Sequence, residues 1–289
     1  VLVGGLLLGG IYSLVALGLN LIFGVSGILN LAHGDFLMLG ALAGFLLVSF
    51  FGMNPFLTLI VILPLFFLVG AGIFVGLIRT ITFKTAEVAL LSSIIATVGL
   101  SFMMEDFTAF FTGNMMGINF FSISYALPAI TIGGTVIPVS PTRLISLIVI
   151  AFLATTLHSF IKRTTTGKII RAIMQDREAA VMIGANATRI TAIVYGIGIF
   201  FAGMGGLFYL LITSVTAYAG LPLTIKAFTI IVLGGLGSFP GSVIGAMIIG
   251  LVESFGAFYI GANWAAPLAI IILLIVLVIR PQGLFGRRE

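Results

Sequence analysis

His33 and Asp35 stand two residues apart in 30-NLAHGDFLMLG-40, within the most apolar third of the chain. An imidazole beside a carboxylate could move protons, in catalysis or in ion coupling across a membrane. The spacing argues against a joint role, because residues i and i+2 of a helix point about 200° apart. Asp35 is read instead as the N-cap of a helix beginning FLMLGALAG, matched by Ser242 ahead of VIGAMIIG. If 26–33 were helical, Ser26, Asn30 and His33 would share one face at i, i+4 and i+7. Such a stripe could line a polar path or hydrogen-bond a broken backbone across a bundle.

The other ionisable residues are sparse. Glu253, in 250-GLVESFG, is an intramembrane acid and so a functional candidate, or else an interfacial partner of Lys226 or Arg143. Glu105 and Asp106 read as solvated charges at the outer end of a span, where they could also meet a docking protein. His158 reads as an interfacial residue near Lys162. The two histidines and scattered acids form no metal-ligand pattern, and the lack of cysteine excludes disulfides and thiolate sites. Scattered Ser and Thr have no His or acid at useful spacing, so an enzyme is disfavoured.

The elements that must position these residues are membrane helices. The chain is 61% hydrophobic and 7% charged, against about 25% charge in soluble domains. No charge falls in 36–78, 107–142, 190–225, 227–252 or 254–279, and a span needs about 20 apolar residues. This predicts an all-α polytopic membrane protein with about 8 spans. Alternating segments of about 10 residues, the mark of a β-barrel, are missing. Residues 1–24 are too apolar and too long for a secretion signal and read as the first span. The net charge of +5 reflects basic cytosolic loops rather than nucleic-acid binding.

Eleven of the thirteen basic residues fall in three clusters: Arg79 and Lys84; Lys162, Arg163, Lys168, Arg171, Arg177 and Arg189; Arg280, Arg287 and Arg288. These segments face the cytosol by the positive-inside rule. Spans at about 89–111 and 142–161 then leave 113–141 outside, where Pro128, Gly133, Gly134 and Pro138 suit a short hairpin. Spans at 190–212 and 262–280 require 224–256 to start and finish outside. Its middle, GGLGSFPGS, interrupts the helix at Gly234, Gly235, Gly237 and Ser238, and Pro240 suits the first turn of a rising helix. With a shift of 207, GDFLMLGALAG lies against GSVIGAMIIGL as a weak repeat. Paired interrupted, re-entrant segments point to a transport site. The first break could lie at the cytosolic edge after a full span. Alternatively, it could lie at mid-depth with the N-terminus inside, an arrangement closer to the second break. Gly5/Gly9, Gly40/Gly44, Gly72/Gly76 and Gly241/Gly245 suit close helix packing.

The segment 162-KRTTTGKIIRAIMQDREAAVMIGANATRI is too polar to span. No Gly or Pro falls between Lys168 and Ile183, apolar residues gather on one side, and Gly184 is placed to end the helix. An amphipathic helix on anionic lipid is one reading. Yet 178-EAAVMIG-184 resembles the E-A-A-x-x-x-G signature of ABC-importer permeases. GKIIRAIMQDREAAVMIGAN, the block GLLLGGIYSLVALGLNLIFGVSGILNLAHGDFLMLGA, the block AFTIIVLGGLGSFPGSVIGAMIIGLVE and the ending RPQGLFGRRE are similar to branched-chain amino acid importer permeases of the H-type.

The resemblance implies a single type II ABC importer-like permease domain over 1–289, with a coupling loop at 162–189 and an outer loop at 113–141. It implies coupling to an ATPase through Gly167, Arg171, Asp176, Glu178, Ala179, Ala180 and Gly184. The broken segments, with Ser26, Asn30, His33, Asp35, Gly234, Gly235, Gly237, Ser238, Pro240 and Ser242, would border the translocation path. Partners would be a second permease subunit (the same chain or another), two cytosolic ATPases and an extracytoplasmic solute-binding protein. No G-x-x-x-x-G-K-[ST] occurs, so ATP and Mg²⁺ would sit on the ATPases. The expected location is the inner membrane. The alternatives are an ABC permease for urea or short amides, and a self-contained secondary transporter or channel.

Overall fold

The computed structural model describes residues 1–81, 86–125, 127, 131–132, 135–136 and 140–286. The readings placed on Lys84, Pro128, Gly133, Gly134, Pro138, Arg287 and Arg288 lie outside these residues. Eleven α-helices follow in order: α1 Leu2–Ser26, α2 His33–Phe51, α3 Pro55–Ile73, α4 Ala86–Ala109, α5 Pro141–Arg163, α6 Thr165–Gln175, α7 Arg177–Met182, α8 Ala187–Leu210, α9 Gly220–Gly234, α10 Phe239–Tyr259 and α11 Ala265–Ile279. Turns of π-helix extend α3 over Phe74–Ile78 and α4 over Phe110–Met115. Among the described residues eight helices are long and apolar enough to cross a membrane. Among the described residues β1 (Phe120–Phe121) pairs with β4 (Val215–Thr216), and β2 (Thr131–Ile132) with β3 (Thr135–Val136), both antiparallel.

α1 and α8 form the buried centre, and α11 lies almost wholly on the surface. α1 packs on α10 and α8, while α8 also carries α2 and α3. Hydrophobic transfer contributes little between helices in lipid, so close backbone approach matters. Two contacts depend on it. A Cβ on Gly40 would strike the Gly203 backbone, and one on Gly9 would come within 2.8 Å of the Met247 Cα. Gly5 and Gly245 serve similarly against α10 and α9. Gly72 and Gly76 face open space, so the expected packing role fails there.

α1 is one uninterrupted span of 25 residues, about 37 Å at 1.5 Å per residue. A Cβ on Gly24 near its end would collide with Met174 of α6, in the basic loop. By the positive-inside rule that end is cytosolic, so α1 starts outside. The reading with an inside N-terminus and a first span that ends early is therefore corrected.

Candidate functional site

The first break is short and climbs back into the protein. Gly27 ends α1 in the left-handed region with φ 67°. Residues 27–32 then return to mid-depth, and α2 opens with His33 Nε2 donating to the Val15 carbonyl at 3.1 Å. Val15 is 11 residues from the end of α1, about 16 Å along its axis. The break thus begins at the cytosolic edge yet delivers the start of α2 to mid-depth, which neither expectation foresaw.

The polar residues around this break hydrogen-bond its backbone, one of the two roles expected of them, but without forming a shared stripe. Ser26 donates to Ile22 O at 2.7 Å and accepts from Ile28 N at 3.2 Å. Asn30 Oδ1 accepts from Ala32 N at 3.2 Å. Both satisfy local backbone, and because 27–32 is not helical, no Ser26–Asn30–His33 stripe forms. Asp35 is not an N-cap either. α2 begins two residues earlier, Ala32 holds the cap position, and Asp35 is already inside the first turn. Its carboxylate lies directly against Gly220, the first residue of α9, where no Cβ would fit. Gly34 N donates to Thr224 Oγ1 at 2.7 Å. The starts of α2 and α9 therefore converge on Asp35.

The second break follows the expected plan. α9 has only 15 residues, about 22 Å, too short to cross a core of about 30 Å. Gly235 (φ 98°) and Gly237 (φ 80°) turn the chain, and Pro240 sits in the first turn of α10. Ser238, rather than Ser242, is the cap, accepting from Gly241 N at 3.2 Å. Ser242 is one turn inside and accepts from Asn20 Nδ2 at 2.8 Å. Asn20 also donates to Ser238 O at 3.1 Å and accepts from Gly237 N at 2.7 Å. The C-terminal segment closes the other side: Leu284 N and Phe285 N donate to Leu233 O and Gly234 O at 2.9 and 3.1 Å. These bonds satisfy carbonyls left orphaned at the end of α9.

α4 supplies polar residues that the sequence reading passed over. Ser93, Thr97, Ser101, Glu105, Thr108 and Thr112 recur at steps of four, four, four, three and four. All six are buried, although most of α4 is not. Thr97 Oγ1 accepts from Leu31 N at 3.2 Å in the first break. Glu105 Oε1 accepts from Leu221 N at 3.4 Å at the start of α9. Glu105 is only 8% exposed, so the reading of it as a solvated charge is corrected; Asp106 is exposed as expected. Glu253 pairs with Lys226, one of its two anticipated partners, at 2.9 Å. Glu253 Oε2 also accepts from Tyr12 Oη at 2.7 Å. His158 borders a surface cleft with Leu17 and Pro240.

The cytosolic loop forms two helices, not one. Asp176 adopts an extended backbone and caps α7, accepting from Ala179 N at 3.0 Å. That side-chain bond competes with continuation of α6. Gly184 ends α7 with φ 95°. Arg171, Asp176, Glu178 and Gly184 are exposed, Ala179 is half-buried, and Gly167 and Ala180 are buried. Gly167 packs on the carbonyls of Phe160 and Ile161 with no room for a Cβ, so it holds α6 against α5. The largest apolar exposure in the loop is at Met182 and Ile183, 81% and 83%, which no pattern had singled out. A cleft of about 410 Å³, bordered by Arg171, Met174, Gln175, Gly237, Ser238 and Phe285, joins α6 to the second break.

Residues 1–279 match the family described as "Branched-chain amino acid transport system / permease component". The chain belongs to that family. It is 30% identical to the high-affinity branched-chain amino acid transport system permease protein LivH of Escherichia coli K12, over 99% of this chain and 94% of LivH. It is 27% identical to BraD of Pseudomonas aeruginosa, a permease of the same description, over 100% and 95% of the two chains. Among solved structures it is similar to a chain of PsaBC from Streptococcus pneumoniae in complex with Fab. That match has TM-score 0.51 and 14% identity, and covers 96% of this chain and 91% of that one. At that identity the likeness concerns the fold. This family member is thus a multi-pass permease subunit with two interrupted segments, as the sequence implied.

Proposed function

We propose that the chain forms half of the translocation path of an ATP-driven importer in the inner membrane and moves branched-chain or other neutral amino acids delivered by an extracytoplasmic binding protein. The observation that carries this reading is the physical link between α6 and the second break. Met174 lies against Gly24 of α1 and reaches the neighbourhood of Gly237. A displacement of the α6–α7 loop by a bound ATPase would therefore bear on the end of α1 and on the Gly235–Ser238 turn together. Such a displacement can favour one access state over the other. In this reading Glu178, Arg171, Met182 and Ile183 meet the ATPase, and Gly167, Ala180 and Asp176 shape the loop that does so. ATP and Mg²⁺ belong to two partner ATPases, and a second permease subunit completes the path.

A self-contained transporter would also use broken helices, but it leaves the exposed α7 surface without a task. Purification of the tagged chain from cells expressing its neighbouring genes tests the choice. Co-isolated ATPase subunits and ATP-dependent uptake of leucine into proteoliposomes are expected. Uptake without ATPase subunits would overturn the reading.

A further inference from the structure

Asp35 is fully buried, and neither of its carboxylate oxygens has a hydrogen-bond partner. Ser101 reaches toward the Asp35 carboxylate as a hydrogen-bond partner, but at a geometry too poor to satisfy either group, and Glu105 stands close enough to repel it. The hydroxyls of Ser101 and Thr108 on the same α4 face are also buried and unpartnered. Buried polar groups in native proteins are almost always bonded, so the unsatisfied Asp35 carboxylate beside an unsatisfied Ser101 hydroxyl needs a reason. The ion pair formed by Lys226 engages Glu253, leaving that cation committed elsewhere. The place is mid-depth, where two helix starts meet. Helix N-termini favour negative charge, so the converging starts of α2 and α9 help to hold two carboxylates here. Inside a membrane protein a buried acid is a functional candidate; Glu105 has a backbone partner in Leu221 N, whereas the Asp35 carboxylate is unsatisfied.

We infer that Asp35 and Glu105, with the Ser101 hydroxyl, form the subsite that receives the ammonium group of the solute as it crosses. The inference rests on the amino acid permease reading above. An ammonium carries one positive charge and three donors. The site offers carboxylate and hydroxyl oxygens to accept them, while two acids repel an anionic group. The solute's apolar side chain would then lie toward the aliphatic surroundings of α2 and α9. A hard metal cation would use the same oxygens, so the test must separate the two.

Two measurements on the assembled transporter decide. In proteoliposomes, Asp35→Asn and Glu105→Gln are each expected to lower leucine uptake about tenfold or more, the scale of one lost charge-assisted hydrogen bond. Co-isolation of ATPase subunits and binding-protein-stimulated ATP hydrolysis should persist, which a merely structural role would not allow. Uptake should not depend on Na⁺ in the wild type. Because the chain has no cysteine, Ser101→Cys provides a second readout that needs no change at Asp35. An ammonium-bearing methanethiosulfonate should label it during turnover about tenfold faster than a sulfonate-bearing one, and Asp35→Asn should erase the preference.

Unchanged uptake in both neutral variants overturns the subsite while leaving the importer reading intact. So does labelling that ignores charge or is absent in every nucleotide state. A Na⁺ requirement that disappears in Asp35→Asn assigns the site to a metal ion instead. Failure of the wild-type assembly to import any amino acid overturns the permease reading, and the ligand with it.

Discussion

Asn20 Oδ1 accepts a hydrogen bond from Gly237 N at 2.7 Å, joining the fully buried face of α1 to the turn between α9 and α10. The same side chain donates to Ser238 O and Ser242 Oγ. One amide thus holds an irregular backbone that no helix could satisfy. Asn20→Leu leaves these groups unpaired, each at about 1–3 kcal/mol. Thermal unfolding in detergent should move clearly down and uptake should fall. Asn20→Asp keeps the acceptor for Gly237 but loses the Nδ2 donor, so it should also destabilise. A normal melting temperature in Asn20→Leu would show that the turn holds itself.

The Lys226–Glu253 pair ties α9 to α10, with Tyr12 of α1 bonded to both. Removing one partner of a buried pair costs about 3–5 kcal/mol, more than removing both. Lys226→Met should therefore be less stable than the double variant Lys226→Met with Glu253→Gln. Melting curves of the two, compared with wild type, check the order.

Backbone contact between α2 and α8 leaves no room at Gly40. Gly40→Val should destabilise by at least the 1–3 kcal/mol typical of overpacking. Gly72→Ala, which faces open space, should stay within about 0.5 kcal/mol of wild type. Protease resistance of the two variants in membranes gives the comparison.

Met182 and Ile183 contribute almost nothing to packing within this chain. Met182→Asp and Ile183→Asp should leave melting unchanged and weaken co-isolation of ATPase subunits by about tenfold or more, as expected for apolar anchors. Undiminished co-isolation would move the docking surface elsewhere.

The second break was legible because its signal is local: GGLGSFPGS denies helical backbone by composition, and α9 and α10 fall where it predicts. The helical character of 168–183 was legible for the same reason, except that Asp176 competes for the backbone and divides it. The first break was harder. Gly27 is a weak stop, and nothing in 27–32 says that the chain climbs back along α1. The α4 stripe was present in the spacing of Ser93 to Thr112, but Ser and Thr in membrane helices commonly bond their own backbone. Thr97 and Thr112 do that here, and what marks this face as different is the buried Glu105 together with the unpartnered hydroxyls of Ser101 and Thr108.

The sequence by itself determined the membrane class, the broken segments and the kinship, since hydropathy and glycine placement act over a few turns of chain. Tertiary structure alone decided what His33 and Asp35 do. Their surroundings depend on residues 18 to 190 positions away: Val15 for the imidazole, and Gly220 and Thr224 at the start of α9, with Gly220 lying against the Asp35 carboxylate. A carboxylate three residues into a helix reads locally as part of its start. Only the arrival of a second helix start and the α4 face beside it leaves that carboxylate buried and unsatisfied.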